Sequence, residues 1–280
     1  MKGLKIGILG IVLATLVLPQ SGESQVLTPQ DDDIVPDPPK HYHHNMVFPY
    51  PFLREADIMF KTRHWERIML KEKMNHHLYY PIRDLPDRKS LYNVLLDGIL
   101  TEGTIIEVYA DDRFEIALTP EQVQNYAAEI DTTWDPDDPT NILLIDTLRV
   151  QPNNVIAYDL KSDWFFDKQR GEMKNRILGI SPYVENPQTA ERYNLFWVWF
   201  PDARYALATN VAYNSRNKAM QLTYDQIFHL RFFDSIITKT DNVYDRAIED
   251  YKAGNPMEQL LEAQKIKTKL REFESDLWTY

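Results

Sequence analysis

No cysteine occurs anywhere in the 280 residues, and the chain nevertheless opens like an exported protein. Lys2 and Lys5 give a positive start, Ile6 to Leu18 form an apolar stretch, and Gly22-Glu23-Ser24 supply a cleavage site before Gln25. This layout predicts a signal peptide over residues 1–24. The stretch is shorter than the run of about 20 apolar residues that a spanning helix needs. Without cysteine there is no disulfide, no thiolate nucleophile, no cysteine-ligated zinc and no lipid-bearing residue after the signal. Stability has to come from burial, and six Trp and sixteen Tyr supply the means.

A net charge of -11 argues against nucleic acid and anionic lipid as partners. It leaves two readings open, simple solubility or a basic protein partner. Residues 25–52 predict an extended arm: Pro29, Pro36, Pro38, Pro39, Pro49 and Pro51 fix φ and remove donors. The aromatic segment Phe48-Pro49-Tyr50-Pro51-Phe52 is its candidate docking element.

The remainder predicts an α+β fold of mixed helices and short antiparallel strands, divided into halves at 53–135 and 136–240 with a C-terminal helical hairpin at 241–280. Arg54 to His77 reads mostly as helix, because Ile58, Trp65, Ile68 and Met69 recur at near-helical spacing without Gly or Pro. Ser90 to Leu100 is a second helix, and Thr104 to Leu118 one or two strands. Thr119-x-x-Gln122 and Thr223-x-x-Gln226 are capping boxes. Residues 131–141 read as an acidic loop between the halves. Val155 to Phe166 and Lys174 to Ile180 predict one hairpin turning near Gly171; Phe196 to Phe200 and Tyr205 to Val211 predict another. Asn242 is expected to cap a helix through Ala253, and Asn255-Pro256 to open the last one. Trp65 with Trp164, Tyr92-Asn93 with Tyr193-Asn194, and Thr119 with Thr223 recur at nearly constant offset, which raises a duplication. The helical reading of Trp65 against the strand reading of Trp164 opposes it.

Catalytic motifs are missing. Neither Gly-x-Ser-x-Gly nor a glycine-rich phosphate loop occurs, and no His-Glu-x-x-His spacing exists. No catalytic, cofactor or metal residue is therefore assigned. His41, His43 and His44, and the pair His76 and His77, keep an alternative open: a periplasmic ligand- or metal-binding protein. Candidate interface residues are Trp197 and Trp199, on a strand apolar on both faces, and Leu270, Phe273 and Trp278 on the terminal helix. Each has a plainer reading, a central strand covered on both sides and a helix docked on its own domain.

Five ordered segments share a further likeness: Lys71 to Pro81, Asp163 to Met173, Phe196 to Arg204, Asp241 to Tyr251 and Phe273 to Trp278. Together they resemble the GldN/PorN family of Bacteroidetes over about residues 54–280. The resemblance implies a periplasmic, non-catalytic subunit of the type IX secretion and gliding-motility machine, on the outer-membrane side of the envelope. It implies a ring formed with a GldK/PorK-like outer-membrane lipoprotein, self-association within that ring, and contact with a GldM/PorM-like periplasmic domain. The family brings no catalytic residues or cofactor, and no motif of it falls in the arm.

Overall fold

Alternation along Ile58–Met69 decides the architecture. His64, Glu66 and Ile68 are buried, while Arg63, Trp65 and Arg67 between them are only partly so. That period of two makes the segment a strand, β1, at the centre of an antiparallel sheet. The computed structural model describes residues 47–85, 88–134, 142–186, 190–214 and 222–278, with the backbone alone over 129–148. The predicted signal and the arm as far as residue 46 lie outside the described residues.

In chain order the elements are β1, α1 (His76–Tyr79), α2 (Leu91–Leu100), β2 (Val108–Tyr109), α3 (Pro120–Tyr126), β3 (Ala128–Trp134) and β4 (Ile142–Arg149). Then come β5 (Val155–Asp167), β6 (Glu172–Glu185), β7 (Arg192–Asn194), β8 (Trp197–Trp199) and α4 (Phe200–Thr209). The chain continues with α5 (Tyr224–His229), β9 (Ile236–Thr240), α6 (Ile248–Tyr251) and α7 (Pro256–Trp278). Seven strands form one sheet in the order β2-β8-β6-β5-β1-β9, with β7 also paired to β6; β3 and β4 pair only with each other. The class is α+β, as expected.

The register gives the sheet two unlike faces. His64 opposes Ser162, Glu66 opposes Leu160 and Ile68 opposes Tyr158, and this side meets the helices. Leu91 and Leu95 of α2, Phe200 and Leu207 of α4, and Ile227 and Phe228 of α5 join Ile68, Leu160 and Ile180 in one core. On the other side Arg63 opposes Asp163, Trp65 opposes Lys161 and Arg67 opposes Asp159. Both arginines grip their carboxylates with two bonds, Nε at 2.7 Å in each case. Such bidentate pairs fix register as well as adding energy.

Local chemistry sets the helix starts. Ser90, Thr119 and Thr223 accept from the backbone N–H of Asn93, Gln122 and Gln226, and the last two are complete capping boxes. Each cap is worth about 1 kcal/mol. The long helix α7 crosses the edge strand β9, where Ala263 and Ile266 join Ile236, Ile237 and Ile248 in a second small core.

Several expectations change. Arg54 to His77 is not a helix but β1 followed by a turn and α1. Its odd face is charged yet paired across the sheet, so the hydropathy pattern hid the alternation. The segment 205–211 is not a strand: Pro201 sits in the first turn of α4, where its missing N–H costs nothing. Only Val108–Tyr109 of 104–118 forms a strand. Residues 131–134 belong to β3, and 135–141 lie outside the described residues. The expected C-terminal hairpin reduces to one long helix preceded by the single turn α6. Asn242 caps a turn, accepting from Tyr244 and Arg246.

The halves 53–135 and 136–240 do not form separate cores, because β1 pairs with β5 and β9, and β2 with β8. Every described residue falls within one compact unit, Pro39–Tyr280. Trp65 and Trp164 both lie on strands, which removes the first objection to a duplication. Tyr92 lies on a helix and Tyr193 on a strand, which raises another.

Candidate protein-interaction surface

Three places gather the side chains that the sequence singled out. The first is β8. Trp197 is 5% exposed, and Phe196 and Val198 beside it are fully buried. The ring of Phe114 closes over this strand edge-on, 6.4 Å from Trp197 and 5.0 Å from Trp199 between centroids. It can do so because β6 offers Gly179: a Cβ there would lie 2.5 Å from the Phe114 ring. Trp197 is thus part of a central strand covered on both sides, not a free anchor. Trp199 is half-buried and lines a cavity of about 370 Å³ with Tyr50, Arg176, Arg204 and Tyr205.

That cavity adjoins the second place, the end of the arm, where Phe48, Tyr50 and Pro51 of the candidate docking segment are held and Phe52 stays exposed. Arg204 donates to the carbonyl of Phe48 at 2.6 Å, and Arg176 to that of Pro51 at 2.9 Å. The Tyr50 ring lies under both guanidinium groups, at 4.2 and 5.3 Å, and Phe48 stacks on His229. Burial pushes the Tyr50 hydroxyl above its ordinary range, with Arg204 opposing. Main-chain carbonyls and flat rings are what this site reads.

The third place is α7. Leu270 lines a cavity with Glu66 and Trp164, and Phe273 lies 4.5 Å from Phe60, ring to ring. Their stripe docks on the protein's own sheet. Trp278 ends the helix, and its side chain lies outside the described residues. The first turns of α7 present another face, where Met257 and Leu261 are both exposed.

Beneath α7 sits Glu66, 2% exposed and saturated. Its carboxylate accepts from Ser162 at 3.1 Å, Trp164 at 3.2 Å, Arg231 at 2.6 Å and Ser235 at 2.6 Å. Burial alone would raise its pKa; Arg231 and the hydroxyl of Ser235 outweigh that and hold it below the usual carboxylate range. His77 lies 5.4 Å from Phe232, ring to ring and tilted by 35°, and burial lowers its pKa. His41, His43 and His44 lie outside the described residues. Among the described residues no three His, Asp or Glu gather as a metal site, and no helix is long and apolar enough to cross a membrane.

Sequence reasoning missed a further concavity. A groove of about 690 Å³ lies on the charged face of the sheet, lined by Trp65, Arg67, Asp159 and Trp197 and by residues of β9, α6 and α7. The indole N–H of Trp65 donates to Asp112 at 2.9 Å. Lys161, buried beside it, donates to the Asp112 carbonyl, and burial pulls its ammonium below the ordinary lysine range. Lys239 lies 4.4 Å from the Trp65 ring. Only the non-helical register of β1 brings these groups together, so spacing in the sequence carried no signal of them.

A family model described as gliding motility associated protein GldN matches residues 53–279. No curated protein matches the chain.

Proposed function

Since the chain belongs to the GldN family of gliding motility associated proteins, we propose that it is a structural, non-catalytic periplasmic subunit of the type IX secretion and gliding machine. It forms a ring with a GldK/PorK-like outer-membrane lipoprotein and contacts a GldM/PorM-like periplasmic domain, which links the ring to a motor. The observation that carries the non-catalytic reading is the saturation of Glu66. A general base needs a lone pair free to take a proton, and four donors occupy this carboxylate. Asp159 and Asp163 are likewise held by Arg67 and Arg63. The buried charges stiffen the sheet.

Contact surface is the second support. Phe52 is 83% exposed and Ile106 78%, and the first turns of α7 add Met257 and Leu261. Identical contacts repeated head to tail around an axis close a ring, and a sheet pinned by paired charges suits a part that transmits force.

The test is gene deletion with complementation. Loss of both gliding and cargo release, restored by the wild-type chain together with co-purification of the lipoprotein, is the expected result. Unimpaired secretion in the deletion strain would remove the reading.

A further inference from the structure

The groove on the charged sheet face has acceptors that the fold leaves without donors. Asp111 and Glu249 line it from its exposed rim, and neither carboxylate has a hydrogen-bond or ion-pair partner among the described residues. Deeper in, the side-chain oxygen of Asn194 is buried and also without a donor. The cations close by are already engaged: Arg67 with Asp159 at 2.7 Å, Lys239 with Asp245 at 2.5 Å. A buried acceptor left unmet costs about 1–3 kcal/mol, so an occupant that brings donors is favoured.

We propose that this groove receives an arginine-bearing, otherwise apolar segment of another, basic protein. Donors are what the three open acceptors lack, and a guanidinium supplies five in a flat fork. Flat cations also suit aromatic walls, and Trp65 lines the groove with Lys239 already 4.4 Å from its ring. The fold uses the same chemistry internally, with Arg67 lying 3.7 Å over the Tyr183 ring. Ile236 and Leu260 add apolar lining for the neighbours of the arginine. The volume of about 690 Å³ admits a few side chains of an extended segment. A second copy of this chain is the poorer occupant, because its net charge of -11 opposes an acidic rim. The inference deepens the reading of the chain as a binding subunit by naming the chemistry of one partner surface.

The full mature chain, titrated calorimetrically with a blocked Leu-Arg-Leu-Arg-Leu peptide, tests it. Saturable binding of one peptide per chain is expected, weakening with added salt as exposed charge contacts do. A chain carrying both Asp111→Asn and Glu249→Gln should bind about tenfold more weakly, which corresponds to roughly 1.4 kcal/mol. Both side chains are exposed and make no side-chain bond among the described residues, so an intact near-ultraviolet spectrum is expected of this variant. The glutamate counterpart of the peptide should not bind. Absence of saturable binding, equal binding by the double variant, or equal binding of the glutamate peptide would each overturn the proposal. Co-purification of the wild-type chain with the lipoprotein is decided separately, so a failed titration leaves the subunit reading standing.

Discussion

Arg204 and Asp225 form a buried bidentate pair, Nε donating to Oδ1 at 2.8 Å and Nη2 to Oδ2 at 3.1 Å. The same Nη2 holds the Phe48 carbonyl, and the guanidinium plane carries Tyr50. One core arginine therefore ties α4 to α5 and fastens the end of the arm.

Arg204→Met leaves the Asp225 carboxylate buried without its partner. Breaking a buried pair from one side costs roughly 3–5 kcal/mol. Limited proteolysis should then cut near residues 47–53 at protease levels that spare the wild type. Arg176→Ala removes the half-buried contact to Pro51 and the cation over the Tyr50 and Phe165 rings, but leaves no buried charge unpaired, so cleavage should rise with little change in the thermal midpoint. Equal protease resistance in both variants would contradict this picture of the arm.

Gly179 and Phe114 are matched by shape. A methyl group at Gly179 would meet both the Phe114 ring and Trp197, the latter at 3.3 Å. Gly179→Ala should cost about 1–3 kcal/mol, in line with overpacking, and alter the near-ultraviolet signal of the two tryptophans on β8. Phe114→Ala combined with Gly179→Ala should recover part of the loss. A double variant no better than the sum of the singles would show that the close approach is not the cause.

Stability should fall on mild acidification. His64 is 2% exposed with neither ring nitrogen bonded, and burial lowers its pKa from 6.5. Glu66 and Asp163 partly oppose that shift from the same strand and from β5, while Arg231 adds to it. The unfolded chain takes up a proton below that ordinary value and the folded chain does not. The folded state is therefore favoured above it and loses stability as pH falls, by at most about 1.4 kcal/mol per pH unit. Glu66, held low, acts in the same direction further into acid: its contribution is full above the ordinary carboxylate range and lost as pH falls through its folded pKa. In urea titrations, His64→Leu should remove most of the difference in stability between pH 7.5 and 5.5. A slope unchanged by the substitution would exonerate His64.

How much of this was legible depended on where the determining contacts lie. Capping boxes at Thr119 and Thr223 and the Asn255-Pro256 start are local chemistry, and the helices begin there. The β5–β6 hairpin could be read because its turn at Gly171 (φ +65°) and its aromatic strands are contiguous in sequence. Misreading β1 had a nonlocal cause: Arg63 and Arg67 look like the solvated face of a helix until Asp163 and Asp159 are placed opposite them. Trp197 looked like an anchor because nothing near it in sequence announces Phe114. The groove around Trp65 draws on seven separate elements and was invisible for the same reason.

The terminal helix offers another check. Phe273→Ala removes a ring pair with Phe60, and such a pair adds about 0.5–1.5 kcal/mol beyond its burial. The loss should appear as a lower thermal midpoint. Truncation after Gly254 should cost more, because it also uncovers Leu270's cavity and the Glu66 cluster. If the truncated chain melts as the full chain does, α7 is not docked on the sheet and its apolar stripe is free for partners.

Cross-linking of native envelopes followed by mass spectrometry bears most directly on the reading as a ring subunit. Links from the first turns of α7 to an outer-membrane lipoprotein, and links between copies of this chain in a large assembly, are the expected result. A lone monomer without such links, in envelopes whose secretion is intact, would contradict it.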